Sequence, residues 1–267
     1  MSIRDIVVDA CPKSDTQQTL ERALEIATAF DAKLVVAAYV WPVTTASDVL
    51  AGNNLTIQKQ TQEMEDALRS TRDAFHRVFA NAPIDVEWHA GISDPDKSLS
   101  DHLLTADLLI TSASEGHGYV TPEPAGLAQR TGTPVLRLGT SVATGRFPNI
   151  LVAWKDCPQA RRALHDALPI LKRAEKVTVV SVGDEVSAVR LEAVAEHLRR
   201  HHVTTSHLHL PHSEQDVCAD LVGHALRENA DMIVAGAYSR GPFTERILGG
   251  VTRELLKTAD LSWFMAH

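Results

Sequence analysis

Apolar and polar positions along this chain alternate between two periods, and the whole alternation occurs twice. Ile6-Val7-Val8 is a short run of the kind that forms a buried strand. Leu20, Ala23, Leu24, Ala27 and Phe30 then recur at helical spacing behind Ser14 or Asp15, either of which can cap a helix. Lys33 to Tyr39 (KLVVAAY) is almost continuously apolar, as strands covered on both faces are. Residues 42–54, with Pro42 and Gly52, predict a loop, and Met64, Leu68, Phe75 and Phe79 form the stripe of a long helix ending near Phe79. Asp85 to His89 predicts a third strand, Leu99 to Leu104 a short helix, Asp107 to Ile110 a fourth strand, Ala125 to Gln129 a helix and Pro134 to Leu138 a fifth strand.

Gly139 to Pro148 is a punctuated link, after which the pattern restarts. Asn149 to Trp154 restates the first strand, and Pro158 to Ala174 restates the first helix with Ala163, Leu164, Ala167, Leu168 and Leu171 inward. Lys176 to Val182, Val186 to Arg200, Ser206 to Leu210 and Val217 to Glu228 follow as strand, helix, strand and helix. Ala230 to Val234 mirrors Ala106 to Ile110, Cys157-Pro158 echoes Cys11-Pro12, and Leu261 to Ala266 closes the chain opposite Pro134 to Leu138. A repeat of this size is a duplicated α/β domain, with boundaries expected at 1–140 and 147–267. Right-handed crossovers then demand an open, doubly wound, five-stranded parallel sheet in each copy. The apolar closing strands would leave exposed edges unless paired, so Val135-Leu136 and Trp263-Phe264 are expected near a shared interface of an intramolecular pseudo-dimer, with further dimerisation open.

The stretch Asp231 to Leu256 (DMIVAGAYSRGPFTERILGGVTRELL) carries the chemistry. An apolar strand breaks at Gly236, crosses a polar segment, and restarts at Gly249-Gly250 before the helix-forming run Val251 to Leu256. Glycines at both edges allow a ligand to approach the backbone closely, and the free N–H groups at the start of a helix attract an anion. Gly236, Ser239, Arg240, Gly241, Gly249 and Gly250 are therefore the candidate phosphate cradle.

Charge and composition narrow the rest. The net charge is −8, but residues 1–144 hold 11 Lys+Arg against 19 Asp+Glu, whereas residues 145–267 hold 15 against 15. A nucleic-acid groove would want the opposite balance. No apolar run approaches membrane-span length, and Arg4, Asp5 and Asp9 break the first apolar segment, so neither a membrane span nor a secretory signal is expected and the cytoplasm is the expected location. Cys11, Cys157 and Cys218 are widely spaced and expected as reduced thiols. His207, His209 and His212 suit a solvated edge strand better than a zinc site. The chain has no G-x-x-x-x-G-K-[ST], G-x-G-x-x-G or G-x-S-x-G, and no nucleophile with a matched base.

Two copies of a five-stranded α/β unit, the second with a glycine loop after its fourth strand, resemble the tandem form of the universal stress protein family, over almost the whole chain. Members that bind ATP carry G-x2-G-x9-G-[ST] at that place. Here it reads Gly236-Ala-Tyr-Ser239, nine residues, then Gly249-Gly250, so Ser239 replaces the second glycine and Gly250 the hydroxyl residue, with Thr252 as a nearby donor. The resemblance implies a Rossmann-like, adenine nucleotide alpha hydrolase-like fold and an adenine nucleotide (ATP, ADP or AMP) in the second copy. Gly236, Ser239, Arg240, Gly249, Gly250 and Val251 would then surround the phosphates, and Ala153, Trp154 and Lys155 would line the base or ribose side. The family's nucleotide binders place an aspartate at the end of strand one. Lys155 stands there in the second copy and about Cys11 in the first. The first copy, with an acidic loop over Thr111 to Pro124, is expected to have lost the site. The implied role is stress response, non-enzymatic or at most slowly ATP-hydrolysing. The alternative is a structural or regulatory module of the same fold that binds a protein partner in place of nucleotide.

Overall fold

The computed structural model describes residues 2–43, 54–114, 118–141, 144–213, 216–237 and 260–267. The described elements run β1 (Asp5–Asp9), α1 (Thr16–Phe30), β2 (Lys33–Val40), α2 (Asn54–Phe79), β3 (Val86–Ile92), α3 (Pro95–His102), β4 (Leu108–Ser112), α4 (Pro124–Thr131) and β5 (Val135–Leu138). The second series is β6 (Asn149–Ala153), α5 (Pro158–Leu171), β7 (Lys176–Val182), α6 (Ala188–Arg200), β8 (Thr205–Leu210), α7 (Val217–Arg227), β9 (Met232–Gly236) and β10 (Ser262–Ala266). The helix expected over residues 251–256 lies outside the described residues.

The chain divides into two compact units. One comprises residues 4–123 and 143–145; the other comprises residues 1–3, 124–142 and 146–267. In the first, β3-β2-β1-β4 form a parallel sheet, with Ile6 beside Leu34 on one side and Leu108 on the other. In the second, the order is β5-β10-β9-β6-β7-β8, parallel throughout except for the β5 and β10 pair. These are the open α/β sheets that the alternating pattern called for, and in each the first strand lies beside the fourth.

The sequence repeat and the compact units differ at one place. By repeat, α4 and β5 close the first copy, yet they belong to the second unit, where β5 runs antiparallel to β10 with Leu136 opposite Phe264 and Val135 opposite Met265. The two apolar closing strands thus cover each other's edges. Trp263 and Phe264 are fully buried, and each contributes roughly 3 kcal/mol by leaving water. The chain leaves β5 through Gly139, where a Cβ atom would lie 2.4 Å from the Asp260 carbonyl oxygen, so only glycine lets the two backbones pass this closely.

Two elements depart from the sequence expectation for clear physical reasons. Helix α3 starts at Pro95, four residues before Leu99, because the Asp94 side chain accepts from the Lys97 N–H at 3.1 Å and caps it, with proline at the first position. Strand β4 continues past its apolar run through Thr111 and Ser112, both buried, because their hydroxyls donate to Asp9 and Asp15.

Candidate functional site

In the second unit, β6 and β9 run side by side and parallel, so their carboxyl ends bring Ala153 and Gly236 to one edge of the sheet. Beyond Ala153 the Trp154 N–H still donates to the Val180 carbonyl at 2.7 Å, and the Lys155 carbonyl accepts from the Cys157 N–H at 2.8 Å, turning the chain into α5. Ala153, Trp154 and Lys155 are half-buried at this turn. The Lys155 ammonium is 2.7 Å from the Glu185 carboxylate. Asp156, one residue on, is held by two guanidinium groups, Arg161 on one carboxylate oxygen and Arg190 on the other. Arg161 comes from the first turn of α5, and Arg190 from the first turn of α6, whose N-terminus the Ser187 hydroxyl caps.

Gly236 ends β9 directly against α5. A Cβ there would lie 2.7 Å from the Ala160 nitrogen and the Gln159 carbonyl carbon, so the glycine is required by helix packing whatever else the turn does. Of the sequence-predicted residues, Ala153, Trp154, Lys155 and Gly236 therefore share one strand-end edge. Ser239, Arg240, Gly241, Gly249, Gly250, Val251 and Thr252 lie outside the described residues.

The corresponding edge of the first unit holds a different cluster. Since Ile6 pairs with Leu108 and Ile150 with Met232, the structural counterpart of Ala153 is Asp9. By the same register Lys155 corresponds to Cys11, as the sequence reading has it, and the strand ends two residues earlier on the buried Asp9 carboxylate. One Asp9 oxygen accepts from the Cys11 N–H at 3.0 Å, and the other accepts from the Lys13 ammonium at 3.1 Å and the Thr111 hydroxyl at 2.9 Å. Both charged side chains are sealed, Asp9 at 1% and Lys13 at 4% exposure. The Cys11 thiol donates to the Tyr39 carbonyl at 2.7 Å, and burial, reinforced by the Asp9 charge, raises its pKa far above the ordinary thiol range. It is a protonated donor, not a nucleophile.

No protein-family model matches the chain, and no match is found among curated proteins. Solved structures do match. A universal stress protein from Archaeoglobus fulgidus DSM 4304 superposes with a TM-score of 0.74 at 15% identity, covering 99% of this chain and 96% of that one. The chain has a universal stress protein fold. A functionally unknown protein from Pseudomonas aeruginosa PAO1 shares this architecture with a TM-score of 0.63 at 17% identity, over 99% of this chain and 92% of its own.

Within this universal stress protein fold the remaining candidates have ordinary partners. His207 Nδ1 lies 2.8 Å from Glu192 and His209 Nδ1 lies 3.0 Å from the Ser181 hydroxyl, so these two strand histidines serve two different neighbours. The three cysteines are buried and none forms a disulfide. Among the described residues no helix is long and apolar enough to cross a membrane. The arrangement that stands out chemically is the cation-rich edge of the second unit, where Lys155, Arg161 and Arg190 face two carboxylates. Arginine forks of this sort suit carboxylate and phosphate oxygens alike.

Proposed function

We propose that this protein is a cytoplasmic tandem universal stress protein that binds an adenine nucleotide at the second unit and acts in a stress response without obligatory catalysis. One observation carries the reading: the glycine-spaced stretch that starts at Gly236 leaves β9 against the first turn of α5, at the carboxyl edge of β6 and β9 where the fourth strand meets the first. In doubly wound sheets this is the place where ligands bind. The whole-chain likeness to a universal stress protein supports the same assignment. Lys155, which stands where a hydrogen-bond acceptor for ribose would be useful, can only donate, so its part is toward phosphate.

Isothermal titration and thermal melting with ATP test the reading. A ligand present at about 100 times its dissociation constant stabilises the folded state by roughly 2.7 kcal/mol, so millimolar ATP should raise the melting temperature and release measurable heat. Absence of both would remove nucleotide from the picture. The second reading, an interaction module of the same fold without nucleotide, is favoured by the internal pairing of Lys155 with Glu185 and of Asp156 with its two arginines, which leaves those side chains already partnered.

A further inference from the structure

Asp156 is held in an unusual way for a surface carboxylate. Each of its oxygens receives one guanidinium, Arg161 from α5 and Arg190 from α6, two helices that start at the carboxyl ends of adjacent strands. The carboxylate is 21% exposed, while the two guanidinium side chains are 52% and 63% exposed and have no other ion-pair or hydrogen-bond partner among the described residues. A guanidinium carries five N–H donors, so each arginine keeps most of its donors unspent. Lys155 adds a third cation at the same edge, and α5 begins with no acidic residue in its first turn. Lys155, Arg161 and Arg190 thus gather at this edge around Asp156 and Glu185.

We propose that Arg161 and Arg190 form a receptor for the phosphoryl groups of a nucleoside di- or triphosphate, and that the Asp156 carboxylate occupies it as an internal stand-in until such a ligand arrives. This rests on the nucleotide reading for its physiological ligand and adds to it two binding residues and a built-in competitor. Carboxylate and phosphoryl oxygens make the same bidentate contacts to guanidinium, and a phosphoryl group brings more charge and more acceptors. Because the arginines are solvated, each existing pair is weak, and displacing Asp156 toward water costs no more than about tenfold in affinity. Arg161 directly follows Gln159 and Ala160, the residues on which Gly236 packs, so the receptor borders the exit of β9.

The test measures binding of inorganic tripolyphosphate, ADP and ATP to the full chain by isothermal titration, at low and at moderate salt. Asp156→Asn should tighten all three about tenfold by vacating the receptor, and Arg161→Gln with Arg190→Gln should weaken all three by at least that factor. Thermal melting without ligand verifies that each variant is folded. If the wild type binds ATP and neither set of variants changes the affinity, the receptor is refuted while the nucleotide reading stands. If Asp156→Asn tightens tripolyphosphate but the adenosine of ATP adds nothing, the receptor stands and the nucleotide reading falls. If no form binds any of the three, both fall.

Discussion

The two strand-end edges, built by the same fold at the same topological position, handle charge in opposite ways. In the first unit Asp9 and Lys13 form a sealed pair, with Thr111 and the Cys11 N–H filling the carboxylate's remaining sites. In the second, Asp156 and Glu185 meet three cations at the surface. Burial makes the first pair a structural commitment, since neither charge can be removed without stranding the other. Exposure makes the second set exchangeable, because water and incoming anions compete for every contact. A duplicated domain can thus keep one edge as scaffold and leave its twin open to ligands.

The largest effect is expected where this contrast is sharpest. Asp9→Ala leaves the Lys13 ammonium buried without an acceptor and should cost about 3–5 kcal/mol, read as a lower urea midpoint. Replacing both partners, Asp9→Ala with Lys13→Met, should recover much of that loss, because no charge is then left unpaired. Asp156→Asn at the second edge should change stability by less than about 1 kcal/mol. Equal costs at the two edges would erase the distinction between sealed and open.

Next in size is Gly236→Ala. Its Cβ would lie 2.7 Å from the Ala160 nitrogen, so β9 and α5 must separate, at about 1–3 kcal/mol. A drop in melting temperature in the absence of any ligand is the expected outcome. Unchanged stability with altered ATP binding would instead assign this glycine to the ligand alone.

The pattern of apolar positions made the strands and most helices legible because burial on both sheet faces imposes it; β7 coincides with its expected span, Lys176–Val182. It was less informative where polar groups are buried against one another. Thr111 and Ser112 read as loop, yet they extend β4 because Asp9 and Asp15 accept their hydroxyls. The allegiance of β5 was partly hidden, since a repeat shows which segments correspond, not which of them pack together. At the candidate site, Ala153, Lys155 and Gly236 were readable from their place after strands. Arg161 and Arg190 were not, because only the crossover through β7 brings residues from two helices onto one aspartate.

The smallest effect concerns one half-buried histidine in each unit, and it sharpens the same comparison. His102 lies tilted against His89 with ring centroids 4.7 Å apart and shares a 2.8 Å hydrogen bond with the Tyr39 hydroxyl; burial, then the neighbouring His89, lowers its pKa. His197 lies between His165 and His201, at 5.4 and 4.6 Å, and burial, then those two rings, lowers its pKa as well. A base whose folded pKa is depressed binds fewer protons folded than unfolded. The stability linked to it is therefore present above the ordinary histidine range near pH 6.5 and is lost as pH falls through the lower folded value. Both rings remain partly solvated, so the loss per histidine should stay below about 0.5 kcal/mol. The units differ in what the neutral ring does. His197 Nε2 is buried with no hydrogen-bond partner among the described residues, so His197→Leu should flatten the acid limb of a melting-temperature profile and slightly raise stability at pH 7.5. His102→Leu should flatten the same limb but lower stability at pH 7.5, because the Tyr39 hydroxyl loses its partner. Two variants that shift the neutral-pH melting temperature in the same direction would show that the two histidines are not distinguished by their hydrogen bonding.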